Sequence, residues 1–130
     1  MLADSKAFSG FAVDDVAAAK QFYSEVLGVK VEDQGEMGLV LHLGGGLDIF
    51  VYPKPDHEAA KFTILNFPVD DIDAAIDDLV AKGVVFERYD NLPAEQDEKG
   101  VLRNDNPGYG PTGIAWFKDP ADNILSVLQQ

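Results

Sequence analysis

One hydrophobic pattern occurs twice along this chain. Residues 7 to 13 alternate apolar and polar or small positions with the period of a strand and end at Asp14-Asp15. Val16, Ala19, Phe22, Tyr23, Val26 and Leu27 then recur at helical spacing until Gly28. Phe62 to Val69 repeats the strand pattern and ends at Asp70-Asp71. Ile72, Ala75, Ile76, Leu79 and Val80 form a second helical stripe before Gly83. An Asp at such a junction caps a helix, because its carboxylate accepts the free amide hydrogens of the first turn and sits at the positive end of the helix dipole. A glycine just past the stripe ends the helix in the left-handed conformation. Each copy therefore predicts a strand, a capped helix and a return to strand.

The first half continues with strands at Val29 to Glu32, Leu39 to Leu43 and Leu47 to Tyr52, broken by the turns Asp33 to Glu36 and Gly44 to Gly46. Alternation places Leu39, Leu41 and Leu43 on one face of the third strand and Val40 and His42 on the other. On the fourth strand it separates Leu47, Ile49 and Val51 from Asp48, Phe50 and Tyr52. The stretch from Pro53 to Ala60 reads as a linker. The second half predicts strands at Val84 to Tyr89, Ile114 to Lys118 and Ile124 to Leu128. Asn91 to Gly113 is irregular apart from a short strand around Val101 to Asn104, and suits a functional lid or a plain surface loop. The expectation is an α+β chain of two βαβββ half-modules, at about 7–53 and 61–128. Their curled sheets share one core in a single domain and enclose a cleft.

Composition narrows the function. A net charge of −13, from 23 acidic and 10 basic residues, disfavours nucleic acid and anionic membrane as partners. The absence of cysteine removes disulfides, thiolate metal sites and a cysteine nucleophile. With no signal-peptide pattern and no spanning apolar run, the expected location is cytoplasmic. No dinucleotide fingerprint, P-loop or nucleophile elbow is present.

Two motifs carry a resemblance. Val13-Asp14-Asp15-Val16 with Phe22-Tyr23 and Val26-Leu27-Gly28, and the late Phe117-Lys118-Asp119-Pro120-Ala121-Asp122-Asn123-Ile124, make the chain similar to the vicinal oxygen chelate superfamily. That superfamily includes glyoxalase I, extradiol dioxygenases and the fosfomycin- and bleomycin-resistance proteins. Asp122 stands where the family's turn has glycine, and Asp tolerates that backbone better than most residues. The resemblance implies a homodimer. It also implies metal-ligand positions at Phe8, Ile64, Asp48 and Ser126, of which only Asp48 offers a hard oxygen donor. By resemblance, then, this is a member without the usual metal and with no cofactor.

The candidate ligand-binding residues are Phe8, His42, Asp48, Phe50, Asn66, Arg103, Tyr109, Trp116 and Ser126, with Tyr52 as a further aromatic. Aromatic positions on one concave face can stack a flat or apolar ligand, and Asn66 could orient it. Arg103 could meet a carboxylate or phosphate, or pair internally beside Asn104, Asp105 and Asn106. Asp48 and His42 could form a two-ligand site for a divalent metal or an acid–base pair; the plainer role is a hydrogen bond and partial sheet cover. His57 reads as a solvated linker residue. The first expectation is a metal-independent binder of an apolar or aromatic small molecule. The alternatives are a metal-dependent lyase, isomerase or dioxygenase using Asp48 and His42, and a protein-interaction platform.

Overall fold

The computed structural model describes residues 1–106, 108 and 110–130, so the expectation for Tyr109 lies outside the described residues. The chain forms two compact units, Met1–Glu58 and Ala59–Gln130. The first contains β1 (Ser9–Val13), α1 (Val16–Gln21), β2 (Lys30–Asp33), β3 (Leu39–His42) and β4 (Asp48–Pro53). The second contains β5 (Thr63–Pro68), α2 (Ile72–Ala81), β6 (Leu102–Arg103), β7 (Gly113–Lys118) and β8 (Ile124–Gln129). Each is a mixed four-stranded sheet, ordered β1-β4-β3-β2 and β5-β8-β7-β6, whose first strand pairs in parallel with its last. The fold is α+β, with βαβββ occurring twice.

Both caps form in the same way. Asp15 accepts a hydrogen bond from the amide of Ala18 and Asp71 from that of Ala74, each at 3.0 Å. The second cap is reinforced by the Ile72 amide donating to Gln129 Oε1 at 2.9 Å, which ties the start of α2 to β8. α2 buries Ile72, Ile76 and Leu79, one stripe at i, i+4 and i+7. Leu65, Ala115, Phe117, Leu125 and Val127 are buried on the strands of that unit; Val13, Leu39, Leu41, Ile49 and Val51 do the same in the first, with Ala19 and Tyr23 from the helical segment. One strand parity in each sheet is thus packed against its helix, and the opposite parity is left uncovered by it.

Three expectations shift. The first helix is α-helical only to Gln21 and then widens into a π-turn over Phe22–Val26, with the Leu27 amide reaching back to Phe22 O at 3.0 Å. Periodicity does not separate these cases, because neighbouring Phe22 and Tyr23 read as one apolar stripe in either. The polar turn before β3 contains a 3₁₀ turn, Gly35–Met37. The predicted strand Val84 to Tyr89 is not a strand. It makes one isolated bridge, Phe86 to Phe117, after which the Gln96 side chain takes over: its amide donates to Glu87 O (3.0 Å) and its carbonyl accepts from the Tyr89 amide (2.8 Å).

Part of the irregular connection, from Asp97 to Arg103, is pinned. The Asp97 carboxylate accepts from the amides of Lys99 and Val101, both at 2.9 Å, and from Arg103. Burial pushes this carboxyl up, but the Val101 amide, Arg103 and the Lys99 amide outweigh it and hold it below the usual carboxylate value. In the late turn Asp119 accepts from the amides of Ala121 and Asn123, and Asp122 adopts the left-handed backbone at φ 67°.

Two stability predictions follow from this geometry. Asp15→Ala and Asp71→Ala should each cost about 1 kcal/mol, read from urea midpoints. Gly38 has φ 119°, and an added Cβ would lie 2.0 Å from Val51 O, whereas Gly28 at φ 70° has open space around it. Gly38→Ala should therefore cost more than about 3 kcal/mol and Gly28→Ala about 1–2 kcal/mol; equal losses would contradict the packing.

Candidate functional site

On the first sheet, the face left uncovered by α1 carries Asp48, Phe50 and Tyr52 from β4 and Val40 and His42 from β3, as alternation predicts. Register adds Glu32 and Lys30, because Glu32 pairs with Val40 and Lys30 with His42. Phe50 and Tyr52 lie with ring centroids 6.0 Å apart and planes at 24°. Phe8 precedes β1 and is 72% exposed.

The polar centre of this face is an imidazole between two carboxylates. His42 Nδ1 lies 2.7 Å from Asp48 Oδ1, and Nε2 lies 3.3 Å from Glu32 Oε1. The hydrogen bonds to Asp48 and then Glu32 raise the His42 pKa above its usual value, against a smaller opposing effect of desolvation. Glu32 was not among the sequence candidates, since the β2–β3 register that brings it to His42 is not visible in alternation alone.

On the second sheet, β5, β8 and β7 align Asn66, Ser126 and Trp116 in one row across the face away from α2. Ser126, fully buried, donates its hydroxyl to Asn66 Oδ1 at 2.5 Å. Trp116 Nε1 donates to Thr63 Oγ1 at 3.0 Å. Tyr89, absent from the sequence candidates, packs edge to face on Trp116, with centroids 5.6 Å apart and planes at 79°. Its hydroxyl is buried and has no hydrogen-bond partner among the described residues. Such a group costs about 1–3 kcal/mol unless something satisfies it. Strand parity contained the clue to Tyr89: Phe86 packs on Phe117 at 5.5 Å in the helix-side core, which sends Glu87 and Tyr89 to the other face.

Arg103 is held elsewhere. Its guanidinium donates to Asp73 of α2 at 2.9 Å and to Asp97 at 3.1 Å, so its partners are not the adjacent Asn104, Asp105 and Asn106. His57 is half-buried near the end of the first unit, its amide donating to Lys54 O at 3.0 Å.

The residues at the family's metal positions do not fit a divalent cation. Phe8 and Ile64 carry no donor atom, and the Ser126 hydroxyl is committed to Asn66. Asp48 and Glu32 lie against opposite nitrogens of the His42 ring, leaving neither nitrogen open for a metal. Among the described residues no group of three or more His, Cys, Asp or Glu is placed to hold a metal ion.

With its pKa raised, His42 contributes stability that is fully present below about pH 6.5 and is lost as pH rises through its folded value. NMR titration should place the His42 midpoint above 6.5, and Asp48→Asn should lower it; a midpoint at or below 6.5 would contradict the two-carboxylate environment.

Comparison with known proteins extends the picture. No curated protein matches the chain. Among solved structures, TnmS3, an antibiotic binding protein from Streptomyces sp. CB03234, is 24% identical with TM-score 0.63, over 97% of each chain. A genomically encoded fosfomycin resistance protein, FosX, from Listeria monocytogenes is 12% identical with TM-score 0.70, over 98% of this chain and 93% of that one. At these identities the likeness is one of fold. The family model for the Glyoxalase/Bleomycin resistance protein/Dioxygenase superfamily matches residues 7–126, and on that match the chain belongs to this superfamily.

Proposed function

We propose that this protein binds a small apolar or aromatic molecule without a metal ion, holding it against the face of the second sheet that α2 leaves uncovered. The observation that carries this reading is the Trp116–Tyr89 pair beside the Ser126–Asn66 hydrogen bond. Flat aromatic surface next to a few fixed polar groups is the usual make-up of a small-molecule site. Phe50, Tyr52 and Phe8 offer similar surface on the first sheet. The donor set around Asp48 and His42 supports the metal-independent part, and the fold it shares with an antibiotic binding protein supports the binding part. Two copies form the functional unit in this proposal. A membrane partner is no part of it, and among the described residues no helix is long and apolar enough to cross one.

A second reading rests on one distance. The 2.7 Å contact between His42 and Asp48 is that of an acid–base pair, so proton transfer to a bound substrate is the alternative activity. Consumption of the bound compound, lost in Asp48→Ala, would replace the binder by that enzyme.

The test uses the single tryptophan, Trp116, as reporter. Titration with fluorene should quench its emission saturably and raise the melting temperature, with stabilisation of about 2.7 kcal/mol at one hundred times the dissociation constant. Protein purified without a metal-binding tag should hold no stoichiometric metal and melt at the same temperature in chelator. Near-stoichiometric nickel, zinc, iron or manganese, with destabilisation on chelation, would overturn the proposal. Light scattering at the mass of one chain would remove its dimeric part.

A further inference from the structure

We propose that Tyr89 is a ligand-recognition residue whose hydroxyl donates a hydrogen bond to an uncharged acceptor, such as a ring carbonyl, on the aromatic molecule that Trp116 stacks. This rests on the binding reading above and adds to it the class of ligand and the group that selects it.

Three observations converge on Tyr89. Its ring packs against Trp116 with centroids 5.6 Å apart and planes at 79°, so the phenol and the indole form one aromatic pair. The pair lies on the uncovered face of the second sheet, where the Ser126 hydroxyl donates to Asn66 Oδ1 and Trp116 Nε1 is bonded to Thr63. The Tyr89 hydroxyl, by contrast, is a buried side-chain polar atom with no hydrogen-bond partner among the described residues. Its backbone is also fixed, with the amide bonded to Gln96 Oε1 at 2.8 Å and the neighbouring Glu87 amide bonded to Trp116 O at 2.8 Å. A ligand that displaces what covers the hydroxyl would meet a donor whose backbone is already placed.

The chemistry selects the acceptor. Burial, and secondarily the charge of Glu87, push the Tyr89 phenol above its ordinary pKa, so it remains protonated and available as a donor at neutral pH. A carboxylate or phosphate ligand would enter a protein of net charge −13, with Lys118 of this sheet engaged by Glu87 at 3.6 Å. An uncharged carbonyl accepts the bond without that repulsion. A site built around a donor also discriminates: a ligand without the acceptor leaves the hydroxyl unsatisfied.

The experiment compares 9-fluorenone, fluorene and fluorene-9-carboxylate, read by quenching of Trp116. Wild type should bind fluorenone about tenfold more tightly than fluorene, with the carboxylate weakest. Tyr89→Phe keeps the ring on Trp116 and should bring the first two affinities within about twofold of each other. Independently of the variant, the carbonyl stretch of fluorenone bound to wild type should fall below its value in hexane. Equal affinities in wild type, a preference that survives Tyr89→Phe, tightest binding of the carboxylate, or an unshifted stretch would each overturn the proposal. Those outcomes leave the aromatic site standing, whereas failure of all three compounds to bind would bring down the site and this inference together.

Discussion

One helix can cover only one face of a four-stranded sheet, and the rest of this protein follows from that constraint. In each unit the parity that meets the helix is apolar and buried, from Leu39, Leu41, Ile49 and Val51 in the first to Ala115, Phe117, Leu125 and Val127 in the second. The other parity is free to carry mixed chemistry, since no helix of its own unit packs on it. Asp15 and Asp71 matter because they start the helix at the point where the strand ends, which fixes the face on which the helix lies.

The two uncovered faces have diverged within this common frame. The first has an imidazole held by two carboxylates, with stacked aromatic rings nearby. The second has polar side chains that bond one another, an indole and a phenol. At the positions the resemblance implies for a metal stand Phe8, Ile64, Asp48 and a serine whose hydroxyl bonds Asn66. The polar groups near those positions pair with each other, Ser126 with Asn66 and His42 with Asp48 and Glu32, which is how buried or half-buried polar groups are stabilised.

The late connection shows how side chains can replace a sheet ladder. The side chains of Asp97, Gln96 and Arg88 bond the backbone, so the stretch from Tyr89 to Arg103 is held along a defined course. Tyr89 owes its place to this arrangement, because the chain leaves β7 immediately after the Phe86–Phe117 bridge.

Local pattern was enough for much of this. The sequence by itself determined the two capped strand–helix junctions, the apolar parity of most strands and the α+β class. Those properties depend on residues close together in the chain. Only the tertiary structure decided that Glu32 reaches His42, that Arg103 is taken by Asp73 and Asp97, that Val84 to Tyr89 leaves the sheet after one bridge, and that the Tyr89 hydroxyl is buried beside Trp116. Each of these depends on strand register or on a side chain from a distant segment, and periodicity along one strand carries no information about what lies across from it.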